Sequence, residues 1–180
     1  MAIRVSKPEF NLREKLSELD FSQVPFQKMP AGSVIQVAFN SLYGAAIGTT
    51  SSSFQDSGLF VNISPRFENS KIIVSASVDA QTGNASGKGV EYTFFRNIGA
   101  DATATSPSVN LLQDSAQGNY ISYSSASGYI HERAAMLAED NPNTIERVQY
   151  RVFFHSHGGA SSGFNKDWGG IMIKAEEIRQ

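Results

Sequence analysis

The stretch from Gly58 to Val78 limits this chain to a β architecture. Leu59, Val61 and Ile63 alternate with Phe60, Asn62 and Ser64. After a break, Ile72, Val74, Ala76 and Val78 alternate with Ile73, Ser75 and Ser77. A period of two puts each set on one face of a strand, so both segments read as half-buried strands. Pro65 has no amide proton to give a ladder, and Glu68-Asn69-Ser70 favours a turn, so a corner separates them. Two strands with an apolar face cannot stand alone in water. The rest of the chain has to supply the layers that cover them.

The same period recurs from Gly32 onwards. Ile35, Val37 and Phe39 read as the apolar side of a first strand, and Val90, Tyr92 and Phe94 as that of another. Gly83 to Lys88 reads as a hairpin loop leading into the latter; it lacks the spacing and following helix of a phosphate loop. A weak strand is expected over 119–124. Residues 129–138 fit a strand better than a short helix. Asp140-Asn141-Pro142-Asn143 is a turn signal. Val148, Tyr150, Val152 and Phe154 form the longest clean alternation, and Ile171, Ile173 and Ala175 mark a closing strand. Seven or eight strands punctuated by turns point to an antiparallel sandwich or jelly roll. Cysteine is absent, which excludes disulfides, thiolate metal sites and cysteine catalysis. Stability must come from packing or association.

Residues 1–31 have a different character and are read as an arm preceding a β domain over 32–180. Five basic and four acidic residues fall within the first thirty positions. Asn11 followed by Glu14 resembles a capping pair, and Leu12, Leu16 and Leu19 then fall at i, i+4 and i+7, the apolar stripe of a short helix. So short a helix is marginal in isolation and needs a surface to lie against. That surface is either the body or another protein. The charged, Pro-interrupted character of the arm favours another protein, with Phe21 and Phe26 in the connector adding to the contact. The net charge of −2 implies no basic face for nucleic acid. No apolar run reaches membrane-span length and no signal-peptide core is evident, so a soluble chain without a secretory address is expected.

Several motifs, taken together, carry a family resemblance. Gly-Ser-Val-Ile-Gln-Val (32–37), Phe-Gln-Asp-Ser-Gly-Leu (54–59) and Ile-Ser-Pro-Arg-Phe-Glu-Asn-Ser-Lys-Ile-Ile-Val (63–74) resemble a module of tailed-phage virion proteins. Gly170-Ile-Met-Ile-Lys-Ala-Glu-Glu-Ile178 is similar to its last strand. Asn11 to Asp20 resembles the N-terminal segment of small structural proteins from cyanobacterial and marine phages. Residues 98–143 match no part of the module. The resemblance implies an all-β, jelly-roll or tumour-necrosis-factor (TNF)-like sandwich of about eight strands with a short helical arm, often trimeric. It implies a non-enzymatic virion component assembled in the host cytoplasm, without cofactors. Small members decorate or cement capsids or form head fibres; longer ones end tail fibres. Here the arm would bind the major capsid protein or another virion protein. The chain lacks a shaft sequence, which argues against a tail fibre.

His155 and His157 project from one face of a strand and could join equivalents around a threefold axis to hold a transition metal. No carboxylate lies near them in sequence, and solvated or interfacial histidines are the simpler reading. His131-Glu132 could be half of an acid–base pair, but no triad spacing supports it. Asp140 to Asn143 lacks the glutamate that closes a calcium loop. Glu91, Glu132, Asp140 and Glu146 show no spacing that pairs two of them for glycoside cleavage. Tyr120, Tyr123, Tyr129, Phe164 and Trp168 could form a platform for host surface polysaccharide, the alternative role of a receptor-binding module. At this density, core or interface packing is the more general use of aromatics.

Overall fold

The computed structural model describes residues 25–44, 46–82, 87–99, 109–112, 121–124, 130–164 and 170–180. A 3-10 turn (Phe26–Lys28) leads into eleven strands: β1 (Val34–Leu42), β2 (Ile47–Thr49), β3 (Gln55–Ile63), β4 (Lys71–Thr82), β5 (Lys88–Ile98), β6 (Val109–Asn110), β7 (Ile121–Ser124), β8 (Ile130–Asp140), β9 (Val148–His157), β10 (Ser162–Phe164) and β11 (Ile171–Ile178). The helical arm expected before Phe21 lies outside the described residues. Among the described residues no helix is long and apolar enough to cross a membrane.

Every pairing is antiparallel, and the strands form two sheets. In the first, Ile72–Ser77 of β4 bonds to β11 on one edge and to β8 on the other, giving the order β1-β11-β4-β8. The short strands β10 and β2 extend it past Ala80 and Gln81. In the second, β9 lies between β3 and β5, and β6 and β7 line the far edge of β5. The chain changes sheet at almost every long connection, and β1-β11-β4-β8 facing β3-β9-β5-β7 is the strand order of a jelly roll. The sandwich read from the alternations is therefore present, with short strands taking the number above eight.

The core lies between the sheets. Leu59, Val61 and Ile63 of β3, Ile72, Val74, Ala76 and Val78 of β4, and Val90, Tyr92 and Phe94 of β5 all face inward. Val148, Tyr150, Val152 and Phe154 of β9 meet Ile171, Ile173 and Ala175 of β11 across the gap. Burying each large aliphatic or aromatic side chain contributes about 1.5–3 kcal/mol, so this layer carries most of the stability.

Two readings from the sequence are corrected. Ile35, Val37 and Phe39 do not share a face: the β1–β11 register shifts between Val34 and Gln36. That bulge turns Ile35 into the core at 8% exposure and sends Val37 and Phe39 outward at 55% and 59%. The Gly83–Lys88 connection is not a hairpin, because β4 and β5 belong to different sheets and it carries the chain from one to the other.

The Pro65 corner has a buried staple. Glu177 of β11, fully buried, accepts from Arg66 N (2.7 Å), Phe67 N (3.4 Å) and Ser70 Oγ (2.5 Å) through one oxygen. Its other oxygen accepts from Gln36 Nε2 at 2.6 Å. The Ser-Pro-Arg-Phe-Glu-Asn-Ser motif and the Glu-Glu of the last strand are thus two halves of one structural device. Arg179 ties down the segment entering β1: its guanidinium donates to Phe26 O and Met29 O, and its backbone bonds to Gly32 and Ser33.

Candidate assembly surface

The bulge in β1 determines which surface is available for binding. With Val37 and Phe39 displaced outward, they stand on the solvent face of the first sheet. Across it, Leu137 of β8 stands equally proud, 68% exposed. Between the two ridges, β4 presents Ser75 and Ser77, whose small side chains cannot fill the space. The result is a trough of about 530 Å³, walled by Phe39, Met172 and Leu137 and floored by Ser75, Ser77 and Ala135. Val34 continues the apolar strip at the start of β1. Contiguous exposed apolar surface rimmed by polar groups marks a place where another molecule packs. The rim holds Lys174–Glu176 (3.0 Å) and Lys71–Glu139 (2.7 Å), exposed pairs that contribute little to stability. Arg133 reaches Ser77 Oγ and Gly170 O.

Of the arm residues singled out from the sequence, Leu12, Leu16, Leu19 and Phe21 lie outside the described residues. Phe26 is 38% exposed, with the Arg66 guanidinium 5.3 Å from its ring centre. The end of the connector is therefore fastened to the Pro65 corner rather than hanging clear of the body.

His155 and His157 do share the outer face of β9, beside Arg151 and Phe153. They have a carboxylate partner, although none lies near them in sequence. The β5–β9 register sets Glu91 opposite His155, and Glu91 is only 1% exposed. Its oxygens lie 2.9 Å from His155 Nε2 and 3.1 Å from His157 Nδ1. Phe54 packs edge-on against the His155 ring at 4.6 Å, with Phe95 and Phe153 continuing the aromatic row. The two imidazoles and the carboxylate satisfy one another, which locks β5 to the end of β9. Among the described residues, no group of three or more His, Asp or Glu is placed to hold a metal ion.

The remaining candidates are dispersed. Phe164 is fully buried against Tyr92 (5.8 Å) and Phe154 (4.9 Å), so it belongs to the core and not to a sugar platform. Tyr123 lies in β7, where Gly89 is its register partner. Tyr120, Tyr129 and Trp168 lie outside the described residues. His131 and Glu132 are exposed neighbours on β8 and so point to opposite sides of it. Asp140 ends β8 rather than starting a free turn: it pairs with Arg96 (2.6 Å) and accepts from Tyr150 Oη (2.8 Å). Burial, then the charge and hydrogen bond of Asp140, push the Tyr150 hydroxyl far above its usual range. Glu91 and Asp140 are thus engaged in structural contacts.

No protein-family model and no curated protein matches this chain in sequence. The trough escaped sequence reading because Val37 and Phe39 look like core until the bulge is known. Glu91 escaped because 64 residues separate it from His155, and only strand register joins them.

Proposed function

We propose that this is a non-enzymatic structural protein of a tailed-phage virion, a homotrimeric capsid decoration, cement or head-fibre protein. The observation that carries the reading is the apolar trough on the outer face of the first sheet. A single copy has no use for that surface, and association with neighbours buries it. The motif resemblance supplies the setting, and the jelly-roll strand order is the architecture that the resemblance implies. The N-terminal arm, with Leu12, Leu16, Leu19, Phe21 and Phe26, contacts a neighbouring protein subunit of the virion. Several such weak contacts in one assembly reinforce each other, because each bound arm raises the effective concentration of the next.

Light scattering at micromolar concentration tests the assembly. The expected mass is about three times the 19.5 kDa of one chain. Replacing Phe39 and Leu137 together by Asp should yield folded monomers. Mass spectrometry of density-purified phage particles tests the setting, and absence of the chain from them refutes a virion role.

A further inference from the structure

We propose that the occupant of the trough is the arm of a second copy of this chain, seated by Leu12, Leu16 and Leu19. The inference rests on the assembly reading above and names the partner for its surface. Two observations converge on it.

The first is where the described chain begins. Pro25 and the turn that follows are held at the Ile178 end of β11 by Arg179 and at the corner by Arg66. Twenty-four residues precede that point. Six residues separate Leu19 from Pro25, a span of up to about 20 Å when extended. Six residues of β11 likewise separate Ile178 from Met172 in the trough wall, again about 20 Å. The leucines can therefore reach a trough of this kind on a subunit packed alongside.

The second is shape. Leucines at i, i+4 and i+7 form one narrow ridge, about 10 Å long if helical. The trough is a furrow between the Phe39 and Leu137 ridges over a floor of Ser75, Ser77 and Ala135. A single apolar ridge fits such a furrow, whereas a second flat sheet would rest on its rims.

The chain contains no cysteine, so introduced thiols report cleanly. Two full-length variants, Leu16→Cys and Leu137→Cys, co-expressed and mildly oxidised, can form a mixed disulfide only between copies. A mixed dimer that exceeds the one formed by Leu16→Cys with Ile145→Cys, exposed on the β8–β9 connection, is the expected result. Equal linking to positions 137 and 145 overturns the proposal. Light scattering of the Leu16→Asp/Leu19→Asp chain separates this failure from failure of the assembly reading. Monomers from both this variant and Phe39→Asp/Leu137→Asp support the arm in the trough. If the arm variant stays trimeric while the face variant does not, the faces meet directly, and the arm proposal alone falls. A trimer that survives both pairs of substitutions, or only the face pair, also overturns it. A monomeric unmodified chain overturns both readings.

Discussion

Glu177 receives four hydrogen bonds from two separate segments, Gln36 of β1 and the 66–70 corner. Replacing it with Ala would leave two backbone amides and the Ser70 hydroxyl facing a void, while the Gln36 amide keeps Ser64 O at 2.6 Å. Each buried donor left without an acceptor costs about 1–3 kcal/mol. Partial rescue by water brings the expected loss to about 3 kcal/mol or more, read as a lower urea midpoint at unchanged m-value. Glu177→Gln keeps one acceptor oxygen and should fall between. Tyr150 makes a pH-dependent contribution. Its hydroxyl is held protonated by burial and by Asp140, so its folded pKa lies above the ordinary value of 10.0. A raised pKa stabilises the fold fully below about pH 10, and that contribution is lost as the pH climbs beyond it. Tyr150→Phe should therefore be less stable than the parent at neutral pH by about 1 kcal/mol, the value of one hydrogen bond. The gap should narrow above pH 10. Denaturant titrations of both proteins at pH 7 and pH 11 would measure it, and a gap of constant size would refute the assignment.

Among the elements, β10 shows how closely two strands can be forced together. A Cβ at Gly163 would lie 1.9 Å from Ile47 O and 2.7 Å from Gly48 Cα, both of them backbone atoms that cannot swing aside. Gly163→Ala should separate β10 from β2, costing about 1–3 kcal/mol as an overpacked site. It should also speed amide exchange at Thr49 and Phe164 while the β5–β9 ladder stays protected. Elements also differ in how far their sequence betrayed them. Strands β3, β4 and β11 were legible because alternation maps closely onto burial, and β5 and β9 because their core side chains alternate, although Glu91, Thr93, Gln149 and Phe153 on their outer faces are buried as well. The alternation in β1 was equally plain but misleading, since one extra residue at the bulge reverses the faces without altering composition. The β4–β5 connection looked like a hairpin because loop residues specify a turn, not which sheet the next strand will join. The apolar trough and the Glu91–His155–His157 knot were hidden for the same reason. Each is made by residues distant in sequence that only strand register brings together.

At the scale of the whole molecule, the two ends of the described chain are joined. Val34 pairs with Ile178 across the first sheet, and β11 lies between β1 and β4 as an interior strand. Without β11, β1 would lose its ladder, and Glu177 and Arg179 would no longer hold the corner and the entering segment. The sandwich therefore cannot be completed from its first 170 residues, whatever the quality of its other strands. A chain ending at Gly170 should lack fixed tertiary packing, seen as loss of near-ultraviolet circular dichroism and exposure of apolar surface to a dye. The intact chain faces the kinetic counterpart of the same constraint. Nearly all of its ladders join distant segments, so loop-closure entropy must be met before pairing contributes, and folding of such topologies takes milliseconds to seconds. Stopped-flow refolding of the full chain should show this slow formation of the core. A Phe39→Asp/Leu137→Asp chain should refold its core at a similar rate, because the trough lies outside that core. If those exposed substitutions slowed core formation markedly, the outer face would have to participate in folding, and its separation from the core would be wrong.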